Sequence, residues 1–164
     1  YTIVERIRKK RPVIVHGDGS SLWVMTHNSD FAKGFAPLLG HPKALGEAFH
    51  ITSDEVLNWN QIHGAIAAAA GEEPRLVHIP SEFIAKVDPD RGAGLLGDKA
   101  WSTVFDNSKI RRLAPDYVAT KPFHIGMQES VAAMDADKSL RTVSAEANDK
   151  MDRILEAYRK ALPA

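Results

Sequence analysis

Three stretches carry residue types at spacings that chemistry uses. Gly92-Ala93-Gly94-Leu95-Leu96-Gly97 spells GxGxxG, Tyr117-Val118-Ala119-Thr120-Lys121 spells YxxxK, and Gly17-Asp18-Gly19-Ser20-Ser21-Leu22-Trp23 sets polar side chains and a Trp on a glycine turn, with His27 four residues further on. The first pattern cradles a pyrophosphate when a strand delivers the glycines and a helix amino terminus receives the phosphates. Here the glycines follow Asp88-Pro89-Asp90-Arg91 and lead into a strand-like Trp101–Phe105, so Asp88–Asp98 reads as a Gly-rich loop. The second pattern pairs a phenol with an ammonium on one helical face, where the cation lowers the phenol's pKa. Pro122 directly follows Lys121 and biases it away from the helix, and Pro115 lies just upstream. Both are chance matches. Only the third stretch has rigid elements on either side to position it.

Other chemistry finds little footing. The seven histidines (His16, His27, His41, His50, His63, His78 and His124) form no HxH, HxxxH or HExxH arrangement, and the chain has no cysteine, so no metal site is expected. No GxSxG nucleophile elbow occurs. His50 and His78 alternate with apolar neighbours in strand-like runs, which turns them toward solvent or a polar pocket. Trp59 and Trp101 read as core or pocket wall, because large aromatics bury.

The elements that hold the third stretch are legible. Val13, Ile14 and Val15 form a β-branched run ending at Gly17-Asp18-Gly19, and Ser20–His27 follows as a loop. Asn28 and Ser29 offer capping oxygens, Asp30 sits in a first turn, and Phe31, Phe35 and Leu38 recur at helical spacing. Upstream, residues 1–11 read as the end of a helix. Its cluster of Arg6, Arg8, Lys9, Lys10 and Arg11 either complements a helix carboxyl terminus or grips phosphate, and a net charge of zero favours the first.

Downstream, Glu47–Thr52 reads as a short strand. Asn58 with Gln61 reads as a capping box opening a helix whose Ile62, Ala65, Ile66 and Ala69 face inward and which Gly71 ends. Arg75–Ile79 is a strand and Glu82–Val87 a short helix. Asp106 caps a helix through Leu113, and Thr120 caps another with Pro122 in its first turn, running to about Met134. From Ser144 on, Met151, Ile154, Leu155, Tyr158 and Leu162 line one face of a charged helix. Strands alternating with helices in 164 residues, 44% of them hydrophobic, indicate an α/β domain with a real core. No apolar run is long enough to span a membrane, and the lack of cysteine fits a cytoplasmic protein.

The order of these features resembles the carboxyl-terminal half of the NAD-dependent epimerase/dehydratase family, the extended short-chain dehydrogenase/reductases. The likeness rests on Gly17-Asp18-Gly19, His27, Asp30 with its helix, Glu47–Thr52, the helix from Asn58, Gly97-Asp98, and Asp106-Asn107-Ser108-Lys109. It implies the carboxyl-terminal portion of a Rossmann-type fold over residues 1–134, followed by an amphipathic helical extension over 135–164. It also implies a parent enzyme whose amino-terminal half holds NAD or NADP and the catalytic Tyr and Lys, while this half closes over the substrate. No catalytic residue and no cofactor are expected on the chain by itself. Ser20, Ser21, Trp23 and His27 are the substrate-side candidates, with Asp98 and Trp101 behind them.

Sugar-nucleotide members carry an Arg four positions after the glycine turn and another two before the late Gly-Asp. Trp23 and Leu95 stand there instead, with Val24 where an Asp usually follows. A pyrophosphate needs bidentate guanidinium contacts, so a smaller, less charged ligand against Trp23 is expected, although Trp23 can equally be filling space. In the family, the strand matching Glu47–Thr52 completes the cofactor-domain sheet. An unpaired edge there predicts binding either to the upstream half or to a second copy as a homodimer. Neither nucleic acid nor membrane is an expected partner. The rival reading is a non-enzymatic binding or assembly module that kept the shape and lost the chemistry.

Overall fold

A computed structural model describes residues 1–163. The chain runs α1 (Thr2–Arg8), β1 (Val13–His16), β2 (Leu22–Val24), α2 (Asn28–Phe35), β3 (Val56–Asn58), α3 (Trp59–Ala70), β4 (Leu76–Ile79), α4 (Ser81–Val87), α5 (Pro89–Gly94), α6 (Ser108–Leu113), α7 (Phe123–Ala136) and α8 (Ala145–Ala161). β1 pairs with β4 in parallel, Val13 opposite Leu76 and His16 opposite Ile79, and β2 pairs antiparallel with β3, Trp23 opposite Leu57. All four residues of β1 are buried. Its side chains alternate between two cores, as a strand covered on both faces requires. Val13 packs with Val4, Ile7, Ala67, Ala70 and Val131, and Ile14 packs with Ile79, Ile84, Leu95, Met151 and Ile154. A small third cluster joins Ile51, Ile110, Ala114 and Tyr117.

The α1 cluster is mostly structural. Arg6 is fully buried and gives its guanidinium to the Pro12 carbonyl (2.8 and 3.0 Å), Asn148 (2.9 Å) and Asp152 (2.8 Å), which ties α1 to α8. Arg8 pairs with Asp135, Lys9 with Glu5, Lys10 with Glu72, and Arg11 with Asp152. Where the sequence shows a basic run, the fold places a carboxylate opposite each cation.

Locally coded features form as read. The Asn58–Gln61 capping box is complete: Asn58 Oδ1 accepts from the Gln61 amide (2.8 Å) and Gln61 Oε1 from the Asn58 amide (2.9 Å). Gly71 closes α3 at φ 77°. Ser144 caps α8, although Leu162 falls beyond its end and is exposed.

Other readings need correcting. Ser20–His27 is not all loop, because Leu22–Val24 pairs with a strand more than thirty residues away. Glu47–Thr52 forms no ladder. Side chains hold its end instead: the Thr52 carbonyl accepts from Asn107 Nδ2 (2.8 Å) and from the Tyr117 hydroxyl (2.9 Å). Trp101–Phe105 is likewise irregular, held to β2 by the Thr103 amide on the Leu22 carbonyl (2.9 Å) and the Leu22 amide on Ser102 Oγ (3.0 Å). Asp88–Asp98 is helical rather than loop, α5 running into a π-helical Leu95–Lys99. Gly92 lets α5 lie against α4, since a Cβ there would overlap Ala85.

The remaining corrections concern caps and faces. His27 stands at the cap of α2, where the Ser29 amide is shared between His27 Nδ1 (3.2 Å) and the Asn28 Oδ1 read from sequence (2.8 Å), and Glu55 rather than Thr120 receives the first amide of α7, from Phe123 at 2.7 Å. The buried positions of α2 are Asp30 and Gly34, while Phe31 and Phe35 are each 44% exposed and stack with centroids 5.6 Å apart.

Candidate functional site

β1 delivers the glycine turn, and α3 fixes it. Asn60, in the first turn of α3, donates from Nδ2 to the Asp18 carbonyl (2.9 Å) and from its amide to the Gly19 carbonyl (3.2 Å), while its Oδ1 faces His78 Nε2 (2.8 Å). Gly19 stands at φ 74°, and a Cβ would run into the Asn60 amide, so the second glycine is required twice over.

The turn opens a cavity of about 230 Å³ lined by His16, Asp18, Ser20, Ser21, Ser81 and Ser102 among others. Its chemistry is that of neutral hydroxyls. Ser20 Oγ donates to Asp18 (2.6 Å) and Ser21 Oγ to the Lys99 carbonyl (3.0 Å), while Ser102 Oγ accepts from the Leu22 amide (3.0 Å). Ser81 is almost wholly buried, yet its hydroxyl has no side-chain partner among the described residues.

His16, 8% exposed, donates Nε2–H to the same Lys99 carbonyl at 2.9 Å. Burial, helped by the nearby charges of Arg91 and Lys99, pushes its pKa below the ordinary histidine range against that hydrogen bond. The ring is therefore neutral, with Nδ1 an acceptor. The Ser20 hydroxyl and amide hold Asp18 below the usual carboxylate range, so a fixed negative charge stands among the residues that line the cavity.

Behind the cavity stands an aromatic wall. The Trp59 ring meets His16 edge-on at 4.8 Å and Trp23 at 5.9 Å, and the Lys99 ammonium lies 5.4 Å from the Trp23 centroid. Burial likewise lowers the pKa of His63, whose Nδ1–H donates to the Trp59 carbonyl at 2.8 Å. Leu95 is 5% exposed inside the second core, so the position offers nothing to a ligand.

The six expected residues therefore divide. Ser20 and Ser21 line the glycine-turn cavity, Trp23 belongs to the wall behind it, and His27 lines a separate cavity beside α7. Asp98 pairs with Lys99 (3.1 Å) at the surface, and Trp101 is 66% exposed with its Nε1–H on the Leu96 carbonyl (2.7 Å). His16, Ser81, Ser102 and Lys99 were not singled out from sequence. Only the tight β1–β4 pairing brings Ser81 next to the glycine turn, and no local pattern signals it.

Neither the GxGxxG nor the YxxxK letters take the local geometry their chemistry uses. Gly92 and Gly94 lie in α5 with no strand before them. Tyr117 is buried with its hydroxyl on the Thr52 carbonyl, and burial together with the charges of Asp30 and Asp54 raises its pKa. That is opposite to what a proton-transfer phenol needs, and Lys121 is engaged with Glu129 instead. Among the described residues no three His, Cys, Asp or Glu side chains gather as metal ligands, and no helix is long and apolar enough to cross a membrane.

The fold is α/β and matches extended short-chain dehydrogenase/reductase structures, the Rossmann-type NAD-dependent epimerases and dehydratases, over part of their length. An epimerase from Methanothermobacter thermautotrophicus aligns with TM-score 0.66 and 20% identity, over 84% of this chain and 37% of that one. UDP-glucuronic acid 4-epimerase from Bacillus cereus in complex with NAD gives 0.60 and 17%, over 85% and 40%. dTDP-glucose 4,6-dehydratase from Bacillus anthracis, also with NAD, gives 0.61 and 17%, over 85% and 40%. In sequence, the chain is 34% identical over 80 residues to the chloroplast stem-loop binding protein of 41 kDa b from Arabidopsis thaliana, 48% of this chain and 21% of that protein. The chain thus spans about a fifth of that relative and about two fifths of the solved structures. No family model matches it.

Proposed function

We propose that this chain is the substrate-binding portion of an NAD(P)-dependent epimerase, dehydratase or reductase, acting on a small, uncharged, hydroxyl-rich substrate of the sugar type rather than a nucleotide sugar. The observation that carries this is the glycine-turn cavity. Serine hydroxyls and a neutral imidazole line it, Asp18 stands among them, and no guanidinium occupies position 23 or 95. Hydroxyl donors and acceptors complement a polyol, whereas a pyrophosphate in this position would meet a carboxylate and lack its clamp. NAD or NADP and the reacting groups would sit on a separate amino-terminal half, as the resemblance implies, leaving this chain without a catalytic residue.

Saturation-transfer NMR with glucose, xylose, UDP-glucose and NAD tests the reading. The monosaccharides should bind, the UDP group should add nothing, NAD should not bind, and Ser81→Ala should weaken the sugar signal. A UDP-sugar held tenfold more tightly than its sugar would overturn it.

The exposed Phe31–Phe35 stack supports a surface completed by another polypeptide, either the upstream half or a second copy. A non-enzymatic binding module is the second reading, favoured by Trp23 and Leu95 and by the name of the Arabidopsis thaliana relative. Nucleic acid itself finds little to grip on residues 6–11, where Arg6, Arg8, Lys9, Lys10 and Arg11 all face carboxylates.

A further inference from the structure

A second cavity, of about 290 Å³, opens between the Met25–Asn28 segment and the first turns of α7. Met25, Met127 and Phe123 give it an apolar part, and Thr26, His27, Asn28 and Ser130 a polar one. The polar groups around it are nearly all committed. Thr26 Oγ1 accepts from the Ser53 amide (2.9 Å), Ser130 Oγ donates to the Gly126 carbonyl (2.7 Å), and Asn28 Oδ1 accepts from the Ser29 amide (2.8 Å).

His27 and the Asn28 Nδ2 are the exceptions. His27 Nδ1 accepts the Ser29 amide as the cap of α2 (3.2 Å) and lies 2.8 Å from Ser29 Oγ. A nitrogen that accepts carries no proton, so the neutral ring bears its hydrogen on Nε2. That Nε2 stands 3.7 Å from Glu129 Oε2, beyond hydrogen-bonding reach, and both Glu129 oxygens are held by the Lys121 ammonium (2.9 and 2.7 Å). The His27 N–H at the mouth of this mixed apolar and polar cavity is thus without an acceptor among the described residues, as is the Asn28 Nδ2 beside it. Gly126 makes the arrangement possible, because a Cβ there would lie 2.9 Å from His27 Cδ2 and push the imidazole away from α7.

We propose that this cavity is a second small-molecule site, distinct from the glycine-turn cavity. It takes a neutral aromatic or branched apolar molecule bearing one carbonyl, whose oxygen accepts from His27 Nε2–H. The body of such a ligand lies against Met25, Met127 and Phe123, where thioethers adapt to irregular shapes. Neutrality follows from the surroundings. The Lys121–Glu129 pair cancels its own charge and leaves no unpaired ion beside Nε2 to hold a charged group.

The test uses the whole chain labelled with 13C at its methionine methyls. Met25 and Met127 line the cavity, while Met134 and Met151 do not and serve as internal controls. Benzamide and acetophenone should shift the Met25 and Met127 signals with saturable dependence. Toluene, which lacks the acceptor, and benzoate, which is charged, should bind at least tenfold more weakly. His27→Asn keeps a capping side chain but cannot reach the cavity, and it should bring benzamide down to the level of toluene. Should that variant fail to fold, the four-probe ranking on the wild type decides by itself. Unmoved Met25 and Met127 signals, or equal binding of all four probes, would overturn the proposal. Glucose should leave these two signals in place, so failure here is separable from failure at the glycine turn.

Discussion

The Asp30 carboxylate accepts a hydrogen bond from the backbone amide of Lys121 at 2.8 Å, so one side chain on α2 fixes the chain where it enters α7. The same carboxylate takes the Lys33 ammonium at 2.6 Å and lies fully buried. Burial opposes its ionisation, but these hydrogen bonds outweigh burial and hold Asp30 at about 2. An unfolded aspartate titrates near 4, at about 3.9. The stability Asp30 contributes is therefore complete above about pH 4 and is lost as pH falls toward 2. Asp30→Asn should cost about 1–3 kcal/mol at pH 7. Urea unfolding across this range should bring wild type and variant together at the acid end; a constant gap would contradict the assignment.

A second acid-sensitive pair lies behind the glycine turn. Burial lowers the pKa of both His16 and His63. An unfolded histidine, near 6.5, takes up a proton before the folded one does, so stability falls as pH drops below about 6.5. His63→Phe should flatten part of that slope in denaturation curves measured between pH 7.5 and 5. An unchanged slope would mean that His63 does not titrate with unfolding.

Arg6 joins α1 to α8 from a fully buried position. Arg6→Ala leaves the Pro12 carbonyl and Asn148 without their donor. It should cost on the order of 2–3 kcal/mol, below the figure for a wholly buried pair because Asp152 is half exposed. Thermal unfolding reads the loss, and a change under about 0.5 kcal/mol would show that the link carries no weight.

Gly92 separates two meanings of the GxGxxG letters. As a helix-packing glycine, Gly92→Ala forces Ala85 to move and should cost about 1–3 kcal/mol. As a phosphate-cradling glycine, it would change nucleotide affinity instead. Calorimetric unfolding set beside NAD titration should give the first result and a flat second one.

Phe31 and Phe35 stack in the open. Phe31→Ser with Phe35→Ser should destabilise the chain by only about 1 kcal/mol while removing concentration-dependent association in sedimentation velocity. A wild-type chain that stays monomeric at high micromolar concentration would remove the second-copy form of the proposed partner.

The sequence by itself determined what neighbouring residues settle among themselves. The Asn58–Gln61 box, the left-handed Gly71, the β-branched Val13–Val15 run and the Gly17-Asp18-Gly19 turn each draw their partners from within a few residues, so their letters are enough. The likeness to one half of a larger enzyme fold was legible for the same reason, because it rests on the order of such local signals. Only the tertiary structure decided matters between distant segments. The apolar spacing of α2 promised a buried Phe face, yet the fold buried Asp30 and Gly34, because Tyr117, Ile51 and Lys121 approach from that side. Glu47–Thr52 has strand composition but no neighbouring strand to pair with, since a ladder needs a second chain segment that composition cannot supply. Ser20, Ser21 and His27 read as one site and fall in two cavities, because β2 runs between them to meet β3 from more than thirty residues away.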